Sequence, residues 1–202
     1  MIVHPIRGYT HKKRLESFYG KQAFNYDSFR KKLLFGREEL VHNTPRRGVW
    51  VDMGGGTGYN VSQLSDEEIA MYTKIYIVDL CSPLLEIARN RCSHWDNVEI
   101  VEDDACTWSP PEHVDTVTFS YSLTMIPNWF DAIDNAMMML VDGGTIRVVD
   151  FYTSRKYVPD NLSKHSWFQR TLWTIWFAFD NVNLSSDHLP YMMSRFELIS
   201  LS

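Results

Sequence analysis

A glycine-rich segment follows an apolar run in the first third of the sequence. Gly54, Gly56 and Gly58 come directly after the run Gly48–Met53, which contains Asp52. Residues without a Cβ let the backbone turn sharply and approach a ligand closely, and amides near a helix start can bind a ligand carboxylate. A carboxylate at the end of the run can hold either the turn or a ligand ammonium group. The segment therefore predicts a ligand-binding turn at the end of a strand.

Acidic residues also close the next two apolar runs. Asp79 and Leu80 end the first of them, and Asp104 and Ala105 follow the second. In an open α/β sheet, ligands bind outside the carboxyl ends of the strands. A carboxylate at the second strand end can accept hydrogen bonds from both ribose hydroxyls of an adenosine, and an oxygen at the third can accept one from the adenine amino group. Glycines and two acids in this order predict a nucleoside-cofactor site.

The spacing of the glycines narrows the choice of cofactor. A dinucleotide fingerprint, GxGxxG, has no register here, because a count from Gly54 places its last glycine at Tyr59. Instead, the segment from Asp52 to Gly58 reads Asp-x-Gly-x-Gly-x-Gly. This pattern resembles the first motif of class I methyltransferases that depend on S-adenosyl-L-methionine (SAM), and Asp79 and Asp104 agree with the acidic positions that follow it. The resemblance implies SAM as the cofactor.

Strand-length apolar runs alternate with helical stretches after residue 45. The predicted strands are Gly48–Met53, Ile75–Leu80, Val98–Val101, Thr116–Ser122 and Thr145–Phe151. Ser82 and Pro83 are typical of a helix start, with Ser82 as its cap, and a helix over Asn128–Leu140 is predicted to end in the turn Asp142–Gly144. This alternation predicts an α/β fold, Rossmann-like as in the class I methyltransferases, with a mostly parallel central sheet flanked by helices.

The 202 residues fit one domain. Residues 1–47 are predicted to form helices that cap the sheet, one near Leu15–Tyr19 and one carrying Tyr26, and residues 48–202 the SAM-binding methyltransferase domain. The first 47 residues hold 11 basic against 4 acidic side chains, a charge of +7 that leaves −12 for the remainder. Solvated helix faces are the favoured explanation, and an anionic surface or substrate is the alternative. No nucleic-acid partner is expected.

The C-terminal part lacks a complete strand pair. A class I sheet normally finishes with an antiparallel hairpin, whereas the sequence offers one candidate strand, Phe196–Leu201. The C-terminal hairpin is therefore expected to be incomplete, either because the chain is a fragment or because the sheet edge is incomplete. An unpaired edge invites association or instability.

The stretch Trp167–Phe179 is strongly apolar and aromatic. Its apolar residues form one helical stripe, with Trp173 and Phe177 beside it. The favoured interpretation is a buried helix, and the alternative is an interfacial or lipid-facing helix that uses its surplus aromatic residues. The stretch is too short to span a membrane.

The sequence contains no spacing of cysteines or histidines that is typical of a metal site or a disulfide framework. The three cysteines and seven histidines show neither CxxC nor HExxH spacing, so no metal is expected. An odd number of cysteines also argues against a disulfide framework and favours a reducing compartment. Neither a signal peptide nor a membrane span is visible. We therefore expect a cytoplasmic protein, soluble or peripheral on an internal membrane such as the endoplasmic reticulum.

A closer resemblance covers nearly the whole chain. The segments that carry it are Arg14–Tyr19, Gln22–Ala23, Tyr26–Arg30, Leu33–Arg37, the glycine-rich segment, Thr118–Pro127 and Asp187–Tyr191. Together they look like the methyltransferase half of betaine lipid synthases. The resemblance implies stepwise N-methylation of the lipid amine diacylglyceryl-homoserine to diacylglyceryl-trimethylhomoserine, which consumes three SAM molecules at a membrane surface. In fused members a second domain transfers the aminocarboxypropyl group of SAM, and that domain or a separate subunit is the partner expected here.

Several residues are candidates for acting on the acceptor. Tyr121 can orient the amine or face the growing methylammonium, although a packed tyrosine is an equal alternative. Tyr19, Tyr26 and Arg30 are candidate substrate residues that close over the site from the N-terminal helices. His188 is a candidate base or carboxylate ligand, against the commoner structural role of a lone histidine. The alternatives in function are methylation of a small soluble amine and an inactive SAM-binding module that supports a partner enzyme.

Overall fold

The centre of the protein is a parallel β-sheet. A computed structural model describes residues 8–20, 34–158, 162–178 and 182–201. Five parallel strands pair there in the order β3-β2-β1-β4-β5. They are β1 (Val49–Met53), β2 (Lys74–Asp79), β3 (Val98–Glu102), β4 (Val114–Ser120) and β5 (Leu140–Val149). The predicted parallel α/β sheet is confirmed.

Strand β1 lies in the middle of this sheet, and all five of its residues are buried. Val51 pairs with Tyr76 of β2 on one side and with Val117 of β4 on the other. Because the strands are parallel, all of their carboxyl ends lie along one edge of the sheet. The loops that follow Met53 and Asp79 therefore meet there.

Helices cover the sheet and its edges. They are α1 (His11–Tyr19), α2 (Arg37–His42), α3 (Asp66–Ala70), α4 (Ser82–Cys92), α5 (Trp129–Met139), α6 (Trp167–Ala178) and α7 (His188–Arg195), with short 3-10 turns at Val61–Gln63 and Leu123–Met125. The predicted start of α4 is shifted by one residue, because Cys81 has the extended backbone of the cap while Ser82 is already helical. Pro83 lies in the first turn, where a missing N–H costs nothing.

The apolar core is divided between the two faces of the sheet. One cluster gathers Phe119 of β4 and Ile133 of α5, and the other gathers Trp50 of β1, Ile77 of β2 and Leu85 of α4. Strands buried on both faces read as continuous apolar runs. This arrangement explains why the sequence shows such runs rather than an alternating pattern.

Helix α1 packs over the carboxyl-end edge of the sheet. Its Leu15 and Tyr19 share a buried cluster with Leu84 and Met125, while the capping role of residues 1–47 as a whole stays a prediction. The second predicted N-terminal helix, which includes Tyr26, lies mostly outside the described residues. Its boundary with residues 48–202 stays a prediction.

Two predicted elements near the sheet edge differ in the structure. The proposed turn Asp142–Gly144 lies inside β5, which begins at Leu140 and shifts its register against β4 between Val114 and Thr116. Gly143, with φ +76°, supports this irregularity because glycine adopts a left-handed backbone without strain. The predicted strand Phe196–Leu201 was wrong, since that segment forms no strand within the described residues 182–201.

Helix α6 is exposed, although the sequence analysis favoured a buried helix. None of its residues is buried, so the favoured interpretation of a core helix was wrong.

Among the described residues, no helix has the length and apolarity to cross a membrane. Across the same ranges, no group of three or more histidine, cysteine or acidic side chains is placed to hold a metal ion.

Candidate active site

A cavity of about 280 Å³ opens at the carboxyl ends of the strands. Most of the residues predicted to bind a cofactor line it together: Gly54, Gly56, Asp79, Leu80, Asp104 and Ala105. Tyr121 and Tyr19, predicted to act on the acceptor, line the same cavity. The structure therefore brings the loop after β1, the two strand-end acids and two candidate acceptor residues into one site.

The glycine loop is shaped by contacts with both neighbouring strands. The backbone N–H groups of Gly54 and Gly55 both donate to the carbonyl of Val78, at 2.8 and 3.1 Å. Gly54 has a φ of +69°, and a Cβ added there would lie 2.4 Å from the Cβ of Ser122. Only glycine fits at this position, because the backbone is left-handed and the space is already filled.

The carboxylate of Asp79 joins two segments of the cavity wall. It accepts hydrogen bonds from the N–H of Gly56 at 3.0 Å and from the N–H of Cys81 at 2.8 Å. Burial raises the pKa of Asp79 to about 6, the charge of Asp52 adds to this, and the two backbone donors oppose it. Each carboxylate oxygen has a second lone pair with which to accept a ligand hydroxyl.

Asp52 lies behind the loop rather than in the cavity, and its predicted cofactor contact is corrected. It is fully buried, and it accepts hydrogen bonds from Thr118 Oγ1 at 2.7 Å and from Asn60 Nδ2 at 3.0 Å. Burial raises its pKa to about 6 despite these donors. The side chain therefore holds the loop against β4, one of the two roles that its position allowed.

Gly58 also does not line the cavity, which corrects its predicted contact with the cofactor. Its φ is +69°, and an added Cβ would lie 3.1 Å from Ile77 Cδ1 and 3.3 Å from Cys92 Sγ. The glycine is needed for close packing of the loop on β2 and α4.

The segment after β3 is fixed from two directions. Asp104 Oδ1 accepts the N–H of Cys106 at 2.9 Å, and the carbonyl of Ala105 accepts Asn135 Nδ2 at 2.9 Å. These bonds hold Asp104 and Ala105 at the cavity wall. An acidic oxygen beside a small residue suits the amino edge of a flat base.

Tyr121 has a constrained backbone and a fixed ring. Its φ of +54° makes it the one non-glycine residue with positive φ in the described part of the chain. The N–H donates to Val149 O and the hydroxyl donates to Phe35 O, both at 2.7 Å. Burial raises the pKa of Tyr121, and the charge of Asp150 adds to it, so the hydroxyl stays protonated at neutral pH. Such strained residues often occur at ligand sites.

Three candidate residues from the sequence analysis remain: His188, Tyr26 and Arg30. His188 does not line the cavity; its ring stands edge-on to Trp129 with centroids 4.5 Å apart, and burial lowers its pKa to about 4. The structure does not bring His188 to the cavity, because the side chain packs against Trp129 of α5, so it gives no support to the predicted catalytic role. Tyr26 and Arg30 lie outside the described residues.

Two charged or titratable residues that the sequence patterns did not indicate line the cavity. The Arg37 guanidinium donates to Asn60 Oδ1 at 3.1 Å and lies 4.5 Å from the centroid of the Tyr59 ring. His11 has a lowered pKa, mainly because of burial, so it is neutral at pH 7. Arg37 follows the turn residue Gly36, and only its place in the resembling segment Leu33–Arg37 could have indicated it.

The cavity wall fits the groups of a nucleoside cofactor. Asp79 offers the carboxylate that a ribose diol requires, and Asp104 with Ala105 offers an acceptor for an exocyclic amine. Gly56, with φ +55°, presents backbone without a side chain beside Asp79. Among the described residues these are the groups that would hold SAM.

Comparison with known proteins assigns the family. A family model described as a methyltransferase domain matches residues 25–201. The chain belongs to this family. This membership agrees with the resemblance to class I methyltransferases that the sequence motifs showed.

Two curated relatives are quinone methyltransferases. One, 2-phytyl-1,4-naphtoquinone methyltransferase of Thermosynechococcus vestitus, is 23% identical over 145 residues, or 68% of this chain and 64% of the relative. The other, the ubiquinone/menaquinone biosynthesis C-methyltransferase UbiE of Hydrogenovibrio crunogenus, is 24% identical over 151 residues, covering 69% and 59%. The matches thus span less than two thirds of each relative.

Solved structures share the fold at low identity. The YcgJ protein of Bacillus subtilis has a TM-score of 0.61 at 18% identity, covering 79% of this chain and 66% of that one. DhpI in complex with SAH has a TM-score of 0.57 at 19% identity, covering 74% and 72%. The N-methyltransferase NodS of Bradyrhizobium japonicum has a TM-score of 0.55 at 17% identity, covering 65% and 70%. These likenesses show a common Rossmann-like fold.

Replacing Asp79 tests the cofactor wall. Asp79→Ala should weaken binding of S-adenosylhomocysteine at least about tenfold, because each charge-assisted hydrogen bond contributes ~1.5–3 kcal/mol. Isothermal titration calorimetry measures the change, with thermal unfolding recorded for each variant. The matched control is Asp142→Ala, at an exposed residue of β5. Equal affinity of folded wild-type and Asp79→Ala proteins would place the cofactor elsewhere.

The raised pKa of Asp79 predicts a pH dependence of binding. The ionised carboxylate is the form that accepts both ribose hydroxyls, so affinity should decrease as pH falls through about 6. Titrations at pH values on both sides of this midpoint measure the effect. Asp79→Asn should bind more weakly and lose most of the dependence. An unchanged pH profile in Asp79→Asn would assign the titration to another group.

Proposed function

We propose that the protein is a SAM-dependent N-methyltransferase whose acceptor is the amino group of diacylglyceryl-homoserine. The observation that supports this most directly is the composition of the cavity. One part of its wall suits a nucleoside, and another part presents Tyr19, Tyr121 and Arg37. These residues offer aromatic faces for a cationic amine and a guanidinium for a carboxylate, and a homoserine headgroup carries both groups.

Methyl transfer to an amine requires a free lone pair aligned with the donor. SAM would supply a methyl group bonded to its sulfonium sulfur: the amine nitrogen forms a bond to the methyl carbon as the carbon–sulfur bond breaks, and S-adenosylhomocysteine leaves, without a covalent enzyme intermediate. The protein therefore acts mainly by orientation, which can provide a large part of the rate acceleration. The ring of Tyr121 is held by its hydroxyl and by an edge contact with Phe151 at 4.9 Å. A fixed aromatic face stabilises a methylammonium by about 0.5–2 kcal/mol.

Proton removal in this proposal falls to solvent or to His11. An ammonium must lose one proton before each transfer, and this can happen before the lipid docks. His11 lines the cavity and is neutral because burial lowers its pKa; the same shift makes it a weak base, so loss of the proton to solvent before docking is the favoured route. The protonated hydroxyl of Tyr121 cannot serve as the base.

Arg37 is the proposed ligand for the carboxylate of the homoserine headgroup. Two of its N–H groups donate to Asn60 Oδ1, at 3.1 and 3.3 Å. A guanidinium has five donors, so three remain for a carboxylate. Such pairs are frequently bidentate, which fixes orientation as well as position.

The relatives favour a second candidate, C-methylation of a lipid-soluble quinone. Both curated relatives carry quinone methyltransferase names. The cavity also has an apolar lining from Leu15, Leu34 and Met125, which suits a ring with a hydrocarbon tail. Methylation of a small soluble amine and an inactive SAM-binding role are two further candidates.

The lipid proposal places the protein on the cytoplasmic side of an internal membrane, with an aminocarboxypropyl transferase as its partner.

An acceptor assay separates these functions. The purified chain is incubated with SAM and either diacylglyceryl-homoserine or the quinone ring substrate in detergent micelles, and products are measured by mass spectrometry. We expect mono-, di- and trimethylated homoserine lipid. Methylated quinone without methylated lipid would support the second candidate. Binding of SAM without methylation of either acceptor would reject both lipid-soluble substrates and leave the small soluble amine and the inactive module as the remaining candidates.

A variant of Arg37 tests the headgroup contact. Arg37→Gln should raise the KM for the homoserine lipid roughly tenfold, since a charge-assisted pair is lost. Affinity for S-adenosylhomocysteine should stay within about twofold, and Asp142→Ala again serves as the control. Weaker S-adenosylhomocysteine binding with an unchanged KM would assign Arg37 to the cofactor instead.

A further inference from the structure

Helix α6 carries an unusual set of exposed apolar side chains, named here the aromatic face. Its six members are between 43% and 72% exposed: Trp167, Phe168, Leu172, Trp173, Ile175 and Trp176. Soluble proteins rarely expose so many large apolar residues on one element, and such patches mark interaction sites. The aromatic face therefore needs an occupant.

The two threonine hydroxyls of α6 form hydrogen bonds within the helix. Thr171 Oγ1 donates to the carbonyl of Trp167 at 3.0 Å, and Thr174 Oγ1 donates to the carbonyl of Arg170 at 2.7 Å. A hydroxyl that is already bonded to the preceding turn costs less to remove from water. These two hydroxyls therefore add little to the cost of moving the helix into an apolar environment.

The charge around α6 identifies the kind of occupant. The described residues 162–178 contain the basic side chains Lys164 and Arg170 and no acidic one, whereas the whole chain has a net charge of −5. Arg155, before this stretch, is already paired with Asp187 at 2.7 Å. The segment Trp167–Ala178 itself contains no acid. Tryptophan and phenylalanine with flanking Lys and Arg are the composition of helices that lie in the headgroup region of anionic membranes.

The inner side of α6 is connected to the active-site cavity. Phe177 packs on Phe151 with ring centroids 4.5 Å apart, and Phe151 contacts the edge of Tyr121 at 4.9 Å. Tyr121 lines the cavity. A surface that receives the outer side of α6 would therefore lie close to the site of methyl transfer.

We propose that α6 is an interfacial anchor, with its aromatic face inserted among the headgroups and upper acyl chains of an anionic lipid surface. The helix has 12 residues, or about 18 Å of length, which suits an in-plane orientation. Basic side chains beside it attract the surface, and the aromatic residues provide the apolar contact. Anchoring does not depend on which acceptor is methylated; delivery of a lipid amine to Tyr121 from this surface rests on the proposed function.

Vesicle flotation tests the anchor directly. The chain is mixed with vesicles of phosphatidylcholine alone or of phosphatidylcholine with phosphatidylglycerol, and the bound fraction is measured after centrifugation. We expect binding to the anionic vesicles that weakens as salt is added. The double variant Trp173→Ser/Trp176→Ser should bind at least about tenfold more weakly, equivalent to ~1.4 kcal/mol.

The matched control removes an exposed apolar residue from another helix. Met138→Ser on α5, where Met138 is 73% exposed, should bind vesicles like the wild type. Titration with S-adenosylhomocysteine checks that each variant is folded. No flotation of the wild type, or equal flotation of the double variant, would overturn the proposal. Vesicle-independent dimers that the double variant abolishes would make α6 a subunit contact and would also overturn it.

Vesicle binding and methylation of the acceptor test two different proposals and can give different results. Methylation of the homoserine lipid in detergent without vesicle binding would support the proposed function and reject the anchor. Vesicle binding without methylation of that lipid would support the anchor and reject the acceptor.

Discussion

The carboxylate of Asp79 holds together the edge of the sheet on which the site depends. One oxygen accepts the N–H of Gly56 in the loop after β1, and the other accepts the N–H of Cys81 at the cap of α4. The same side chain is thus a structural link and a wall of the cavity. Because the group is buried, its charge is costly, and its pKa lies near 6. A ligand that donates hydrogen bonds to the ionised carboxylate would offset part of that cost.

A second buried acid supports the first from behind. Asp52 accepts hydrogen bonds from Thr118 of β4 and from Asn60 after the glycine loop, and Arg37 donates to the same Asn60. This network links the loop to β4 and positions the guanidinium of Arg37 at the cavity wall. Two acids on neighbouring strands repel each other, so the donors around them are required for both to ionise. The glycine loop is therefore stabilised from both sides before any ligand binds.

Much of the sheet and half of the site could be predicted from the sequence, because they follow local rules. Apolar runs indicated the strands, and the acid at each strand end indicated Asp79 and Asp104. Position along the chain does not show which side of a loop a residue faces, so Asp52 and Gly58 were assigned to the ligand although they support the loop. Whether α6 is buried and what His188 contacts both depend on packing between segments that are distant in the sequence. The hydrophobic periodicity of a single segment carries no information on that packing.

We propose that the glycine loop, Asp79 and Asp104 form the adenosine-binding wall of a methyltransferase. The most direct measurement is a crystal structure of the chain with S-adenosylhomocysteine. We expect the ribose hydroxyls to lie within hydrogen-bonding distance of the Asp79 carboxylate and the adenine to lie beside Asp104 and Ala105. Ligand density away from this cavity, or a ribose out of reach of Asp79, would contradict it.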